Sequence, residues 1–222
     1  EFDKKFKFSI VTLSNDENKI KDQLKNLFTE EFIKKAFSDE FKNVVETVNS
    51  LKCIIDTQKE YSGILLDNLD LILKMISIKY NSNINPSMLK AFFEFLDSLY
   101  QLISSINYNL NETEINIILP LLISKLSLNN TSLKEHLIFL LHNYITIIGT
   151  NKATIIILTA CLNKNVKIKS EVLDITTDLY LNDQIDELVV KGHSNFAPKG
   201  SDIVCAGVSA IVIGGINAII SL

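Results

Sequence analysis

The sequence predicts a mainly α-helical chain of stacked antiparallel hairpins, followed by a short C-terminal segment of different texture read as a β-hairpin plus one helix. Three observations carry this reading. Apolar residues recur at three- and four-residue spacing from about Ile20 onward, the period of helices buried on one face. Seven glycines and three prolines in 222 residues leave few tight turns. Capping residues stand at intervals of about 20 residues, so the helices pair into hairpins that repeat.

Taken in order, residues 1–19 form an N-terminal extension whose start, Glu1-Phe2-Asp3-Lys4-Lys5, is charged and unlike a signal peptide. Phe41, Val44, Val45, Val48, Leu51, Ile54 and Ile55 make the first clear apolar stripe. Leu65, Leu66, Leu69, Ile72, Leu73 and Ile76 make the next, and Leu89, Phe92, Phe93, Leu96, Leu99 and Ile103 a third. Asn85-Pro86 places a capping side chain before a proline at the first helical position. Asn111-Glu-Thr-Glu114 and Ser132-Leu-Lys-Glu135 read as capping boxes, with a carboxylate three residues past the cap. Helix starts near 40, 62, 86, 111, 132 and 151 give hairpins repeating every ~40–47 residues, the HEAT-type spacing. One hairpin cannot bury its own apolar face, so the repeats stack into an array over 20–171.

Past residue 171 the texture changes. Ile175-Thr-Thr-Asp-Leu-Tyr-Leu181 and Ile185-Asp-Glu-Leu-Val-Val190 are rich in β-branched residues and flank Asn182-Asp183-Gln184. That pattern fits a β-hairpin. Val172 to Tyr180 equally fits the last helix of the array.

Composition narrows the function classes. An apolar share of 47% against 22% charged residues supports a packed core. A net charge of −4 argues against a nucleic-acid binder, which needs a cationic surplus. All 22 basic residues are lysine, so anion recognition rests on point charges and backbone N–H groups rather than bidentate guanidinium clamps. Cys53, Cys161 and Cys205 are widely spaced with no CxxC pattern, which is neither a disulfide framework nor a zinc site. A reducing cytoplasm is the expected location, and Cys53 and Cys161 are expected to be shielded within apolar helical stretches. The sequons at Asn111, Asn129 and Asn130 are what an asparagine-rich chain yields by chance. His136 and His142 stand six apart on a helix, which does not put them on one face. No metal or cofactor is expected.

The stretch from Gly63 to Lys169 resembles a TOG domain, the tubulin-binding HEAT array of the microtubule polymerase family. The carrying residues are Leu69-Asp-Leu-Ile-Leu-Lys74 with Lys79, then Tyr108-Asn-Leu-Asn-Glu-Thr-Glu114, then Ile118-Leu-Pro-Leu-Leu-Ile-Ser-Lys125. The resemblance implies that the turns within the hairpins line one edge and meet tubulin. Those turns hold Ser38 and Asp39, then Lys79, Tyr80 and Asn83, then Lys134, then Asn163, Lys164, Lys167 and Lys169. A lysine-dotted edge suits an acidic partner surface through long-range attraction. Family members usually carry a tryptophan in the first turn, and this chain has none.

Gly192-His-Ser-Asn-Phe-Ala-Pro-Lys-Gly-Ser-Asp-Ile-Val-Cys-Ala-Gly-Val-Ser209 resembles the signature of the bacterial ribosomal-processing cysteine protease family, Prp. That family places Gly-His at a strand end, then a flexible loop, then Asp-Ile-Val-Cys at the start of a helix. The resemblance implies His193 and Cys205 as a catalytic dyad, Asp202 and Ser209 as accompanying polar residues, and the N-terminal extension of a ribosomal protein as substrate. A thiol at a helix N-terminus is held toward the thiolate by the backbone N–H groups, and a histidine beside it moves the proton. The family domain continues with further strands and a second helix, so residues 172–222 are expected to be an incomplete protease fragment, and activity uncertain. The same residues admit a third reading. Ile203 to Leu222 is twenty residues without a charge, long enough to span a bilayer, although Gly207, Gly215 and Asn217 dilute its hydrophobicity. The ordering is therefore a tubulin-binding scaffold first, a cysteine protease second and a membrane-anchored scaffold third.

Overall fold

The computed structural model describes residues 17–82 and 85–181, and every regular element among them is a helix. In chain order these are α1 Glu17–Leu24, α2 Glu30–Ala36, α3 Phe41–Thr57, α4 Lys59–Asp67, α5 Leu69–Ser82, α6 Pro86–Ile106, α7 Glu112–Ser124, α8 Thr131–Ile148, α9 Thr150–Thr159 and α10 Val166–Leu181. A 3₁₀ turn, Ala160–Leu162, closes α9. The chain divides into one compact unit ending at Thr176 and a second from Thr177 onward; of the second unit only the last turns of α10 are described.

The caps explain where the longer helices begin and end. The Asn85 carboxamide oxygen accepts the Ser87 N–H at 2.9 Å, with Pro86 at the first helical position. At the other end of α6, Asn107 is left-handed (φ 52°) and the N–H of Tyr108 reaches back to the Ile103 carbonyl at 3.0 Å. Asn111 and Glu114 form a complete capping box on α7. Gly149 ends α8 at φ 89°, a conformation side-chain-bearing residues rarely adopt.

The helices pack as two layers. α3, α6 and α8 lie side by side in one, and α5, α7 and α9 in the other. α2 packs on α3 and α1 on α5, while α7–α8 and α8–α9 contacts join the layers. This is the HEAT-type arrangement of antiparallel hairpins, in which each buries the face its neighbour cannot. α6 is the centre of it. Met88, Leu89, Ala91, Phe92, Phe93, Phe95, Leu96, Leu99 and Ile103 are all buried, because α6 is flanked by α3 and α8 and backed by the other layer. Tyr144 of α8 is fully buried and donates its hydroxyl to the Leu96 carbonyl at 2.9 Å, pinning α8 to α6.

Several expectations change on contact with the fold. The apolar stripe from Leu65 to Ile76 is not one helix. The Asn68 carboxamide donates to the Ile64 carbonyl at 2.9 Å while the Asn68 carbonyl accepts from Leu71 and Ile72, so one residue ends α4 and starts α5. α8 starts at Thr131 rather than at Ser132, because the Asn130 carboxamide oxygen takes the Leu133 N–H at 3.0 Å. Residues 175–181 are helix and not the first strand of a hairpin. Ile168, Val172, Ile175 and Leu179 are buried while Asp174, Thr177 and Asp178 are exposed, a helical rhythm that outweighs the weak β preference of the branched residues. The other half of that hairpin, Ile185–Val190, lies outside the described residues. Cys53 is exposed rather than shielded, because it lies on the outer face of α3 with Sγ 3.6 Å from the Thr57 hydroxyl.

Candidate functional site

Because successive helices alternate between layers, the connections α2–α3, α5–α6, α7–α8 and α9–α10 all fall on one edge, and α6–α7 and α8–α9 on the other. Three side-chain contacts bind the first set into a row. The Lys79 ammonium at the end of α5 meets the Asp39 carboxylate of the α2–α3 turn at 3.4 Å. The Lys125 ammonium of the α7–α8 turn lies 5.0 Å from the centre of the Tyr80 ring. The Lys167 ammonium at the start of α10 donates to the Asn129 carboxamide oxygen of the α7–α8 turn at 2.9 Å. Each turn is thereby tied to the next.

Within that row the residues singled out by sequence differ in what they can offer a partner. The Ser38 hydroxyl is occupied by the Glu40 N–H and the Asn43 carboxamide. The Asp39 carboxylate is fully exposed, but the Lys79 side chain is only 14% exposed and its charge is turned toward Asp39. Tyr80 does not belong to the contact surface. It is 1% exposed, packed against Phe92 and Phe93, because the last turn of α5 directs it inward under α6. Burial pushes its phenol far above the ordinary tyrosine range. Lys134, in the first turn of α8, forms an ion pair with Glu171 of α10. Asn163 organises the last turn, accepting the Asn165 N–H at 2.8 Å, and Asn165 in turn accepts the Lys167 N–H at 3.0 Å. Lys164 and Lys167 are exposed and Lys169 is half-buried. Asn83 lies outside the described residues, as do His193, Asp202, Cys205 and Ser209.

The sequence reading passed over two residues of this edge. Val166, between the exposed lysines, is 76% exposed and is the most exposed large apolar side chain of the described core. Lys125 is 9% exposed. Its position inside the run Leu121-Leu-Ile-Ser-Lys-Leu126 was the available signal, since a lone lysine among leucines is carried inward with its neighbours.

Elsewhere, His136 bonds Asp97 at 2.6 Å with its ring edge against Phe93, and His142 is half-buried without joining it. Among the described residues no group of His, Cys, Asp or Glu is placed to hold a metal. Among them, too, no helix is long and apolar enough to cross a membrane.

By architecture the described part is a TOG-like HEAT array. The solved TOG domain of C. elegans Zyg9 superposes with a TM-score of 0.69 at 23% identity, covering 76% of this chain and 62% of that one. A second solved chain, from work on TOG–tubulin binding specificity in microtubule dynamics and mitotic spindle formation, superposes at 0.67 and 23% identity, covering 75% and 66%. In sequence, Protein MOR1 of Oryza sativa subsp. japonica is 26% identical over 174 residues, 78% of this chain and 8% of that protein.

The C-terminal segment has a different likeness. The profile of the cysteine protease Prp matches residues 173–222. The ribosomal processing cysteine protease Prp of Staphylococcus aureus is 44% identical over 50 residues, 22% of this chain and 47% of that protein. The chain thus spans about half the length of the curated protease relatives it matches. The matched stretch begins inside α10, so residues 173–181 are helical here.

Proposed function

We propose that the array is a tubulin-binding scaffold that docks through the edge formed by the α2–α3, α7–α8 and α9–α10 turns. The observation that carries this is the row itself: three turns and the end of α5, from sequence positions 38 to 167, tied in succession by Asp39–Lys79, Tyr80–Lys125 and Asn129–Lys167. The last turn presents Lys164 and Lys167 around the exposed Val166, an apolar spot with a cationic rim. Such a surface attracts an acidic protein from a distance and then buries a small apolar contact. The likeness to solved TOG domains supports the same partner.

The test is size-exclusion chromatography of the full chain with tubulin, beside Lys164→Glu/Lys167→Glu. Both lysines are exposed, so the variant is expected to keep its helicity and lose co-elution. Co-elution unchanged by the double reversal would place the contact elsewhere.

A second reading applies to the segment matched by the protease profile. Cys205 would attack the scissile carbonyl as thiolate, with His193 passing its proton to the leaving amine and water then releasing the acyl group. Asp202 and Ser209 accompany the dyad, and the substrate class is a ribosomal-protein N-terminal extension. Faster alkylation of Cys205 than of an ordinary thiol, slowed by His193→Ala, tests it. Reactivity indifferent to His193 would reduce the likeness to ancestry.

A further inference from the structure

α7 carries one largely buried ionisable side chain at each end, and the two are treated differently by the fold. Glu114, at 1% exposure, is the one buried carboxylate among the described residues. It is fully engaged, accepting the Asn111 N–H at 2.8 Å and the Tyr108 hydroxyl at 2.9 Å. Lys125, which caps the other end, is the one buried lysine among them. Among the described residues it has no carboxylate and no hydrogen-bond acceptor; its ammonium lies 5.0 Å from the centre of the Tyr80 ring and keeps some contact with solvent. The Tyr80 hydroxyl is itself buried with no hydrogen-bond partner.

The other lysines of the edge are provided for. Lys79 has Asp39, Lys134 has Glu171, and Lys167 has Asn129. Partial burial without a counter-charge costs a cation some stability, and it holds the Lys125 ammonium below the ordinary lysine range. The ring face and the α7 C-terminus offset only part of that cost. A neutral side chain of the same length would pack at least as well here.

Resting on the tubulin reading above, we propose that Lys125 is the specificity-determining cation of the edge, left without an acid inside the fold so that one carboxylate of the docked partner completes it. The pair forms where the α7–α8 turn is covered, out of water, with Tyr80 as its floor. It selects a partner that presents a carboxylate at that point, whereas Lys164 and Lys167 respond only to the general field of an acidic surface. Salt separates the two roles, because a covered pair is screened far less than exposed charges.

The experiment measures the affinity of the full chain for tubulin, and the thermal midpoint, for the parent, Lys125→Met, Lys125→Gln and Lys164→Glu/Lys167→Glu at low and moderate salt. Met fills the volume and covers the Tyr80 ring without charge; Gln keeps polarity without charge. Both are expected to unfold at or above the parent's temperature and to bind at least about tenfold more weakly, a loss that persists at moderate salt while the defect of the lysine reversal shrinks. Parent-like binding by both neutral variants overturns the proposal and leaves the tubulin reading intact. A lowered midpoint for both overturns it too, since Lys125 would then serve the fold. A parent that does not bind tubulin overturns both readings.

Discussion

Replacing Glu114 tests whether the buried carboxylate is what holds the α6–α7 connection to its helix. Glu114→Ala removes the acceptor of two hydrogen bonds, from the Asn111 N–H at 2.8 Å and the Tyr108 hydroxyl at 2.9 Å. Hydrogen bonds to a charged group are worth about 1.5–3 kcal/mol each. Asn111 is exposed and Tyr108 half-buried, so water recovers much of the first bond and part of the second. Release of the desolvated carboxylate offsets more. The net cost is about 2–3 kcal/mol, or roughly 5–10 °C in a chain of this size. Asn111→Ala removes the reciprocal bond to the Glu114 N–H at 3.0 Å and costs about 1 kcal/mol. The two form one box, so the double variant is expected to cost clearly less than the sum. Thermal and urea unfolding of the four proteins measure this. A loss below about 0.5 kcal/mol for Glu114→Ala, or strict additivity, would mean that the carboxylate does not hold the connection.

Three further outcomes follow from the same contacts. Burial, the Glu114 hydrogen bond and nearby carboxylates push the Tyr108 phenol up to about 12. The folded state therefore keeps a proton the unfolded state loses near pH 10, so this stabilisation is whole below about pH 10 and lost as pH rises toward 12. Tyr108→Phe should flatten that alkaline decline, which pH-dependent unfolding reads directly; an identical profile would count against it. Cys53 is exposed, whereas burial pushes the half-buried Cys161 thiol up, partly opposed by Lys169. Alkylation at neutral pH should thus be faster at Cys53 than at Cys161, and Cys205 should exceed both if the dyad operates; the reverse order of the first two would contradict the fold. For Lys164→Glu/Lys167→Glu, each reversal removes and inverts a surface attraction of about 0.2–1 kcal/mol. With removal and inversion at both lysines, tubulin binding should weaken by about four- to several hundredfold at low salt and by less at high salt. A loss of equal size at both would mean a contact, not a field.

Local chemistry made the helix starts at Asn85-Pro86 and Asn111 legible, because a cap and its target lie within three residues of each other. The break at Asn68 and the cap at Asn130 were missed because which backbone group an asparagine carboxamide takes is decided by geometry. Ile175 to Leu181 misled through composition. β-branched residues suggested a strand, while the burial of Ile168, Val172, Ile175 and Leu179 follows the helical period. The binding edge was legible as a set of turns but not as a surface. Whether a turn residue faces out depends on how neighbouring hairpins are offset, which separates buried Tyr80 from exposed Lys167. The links Asp39–Lys79, Tyr80–Lys125 and Asn129–Lys167 each join residues tens of positions apart, and no local pattern encodes them.

Hydrogen exchange of the full chain with and without tubulin shows which edge of the array meets the partner. Exchange is expected to slow in the turns around residues 38–40, 125–130 and 163–167, with the opposite edge at 107–111 and around Gly149 unchanged. Protection confined to the opposite edge, or none at saturating tubulin, would contradict docking through those turns.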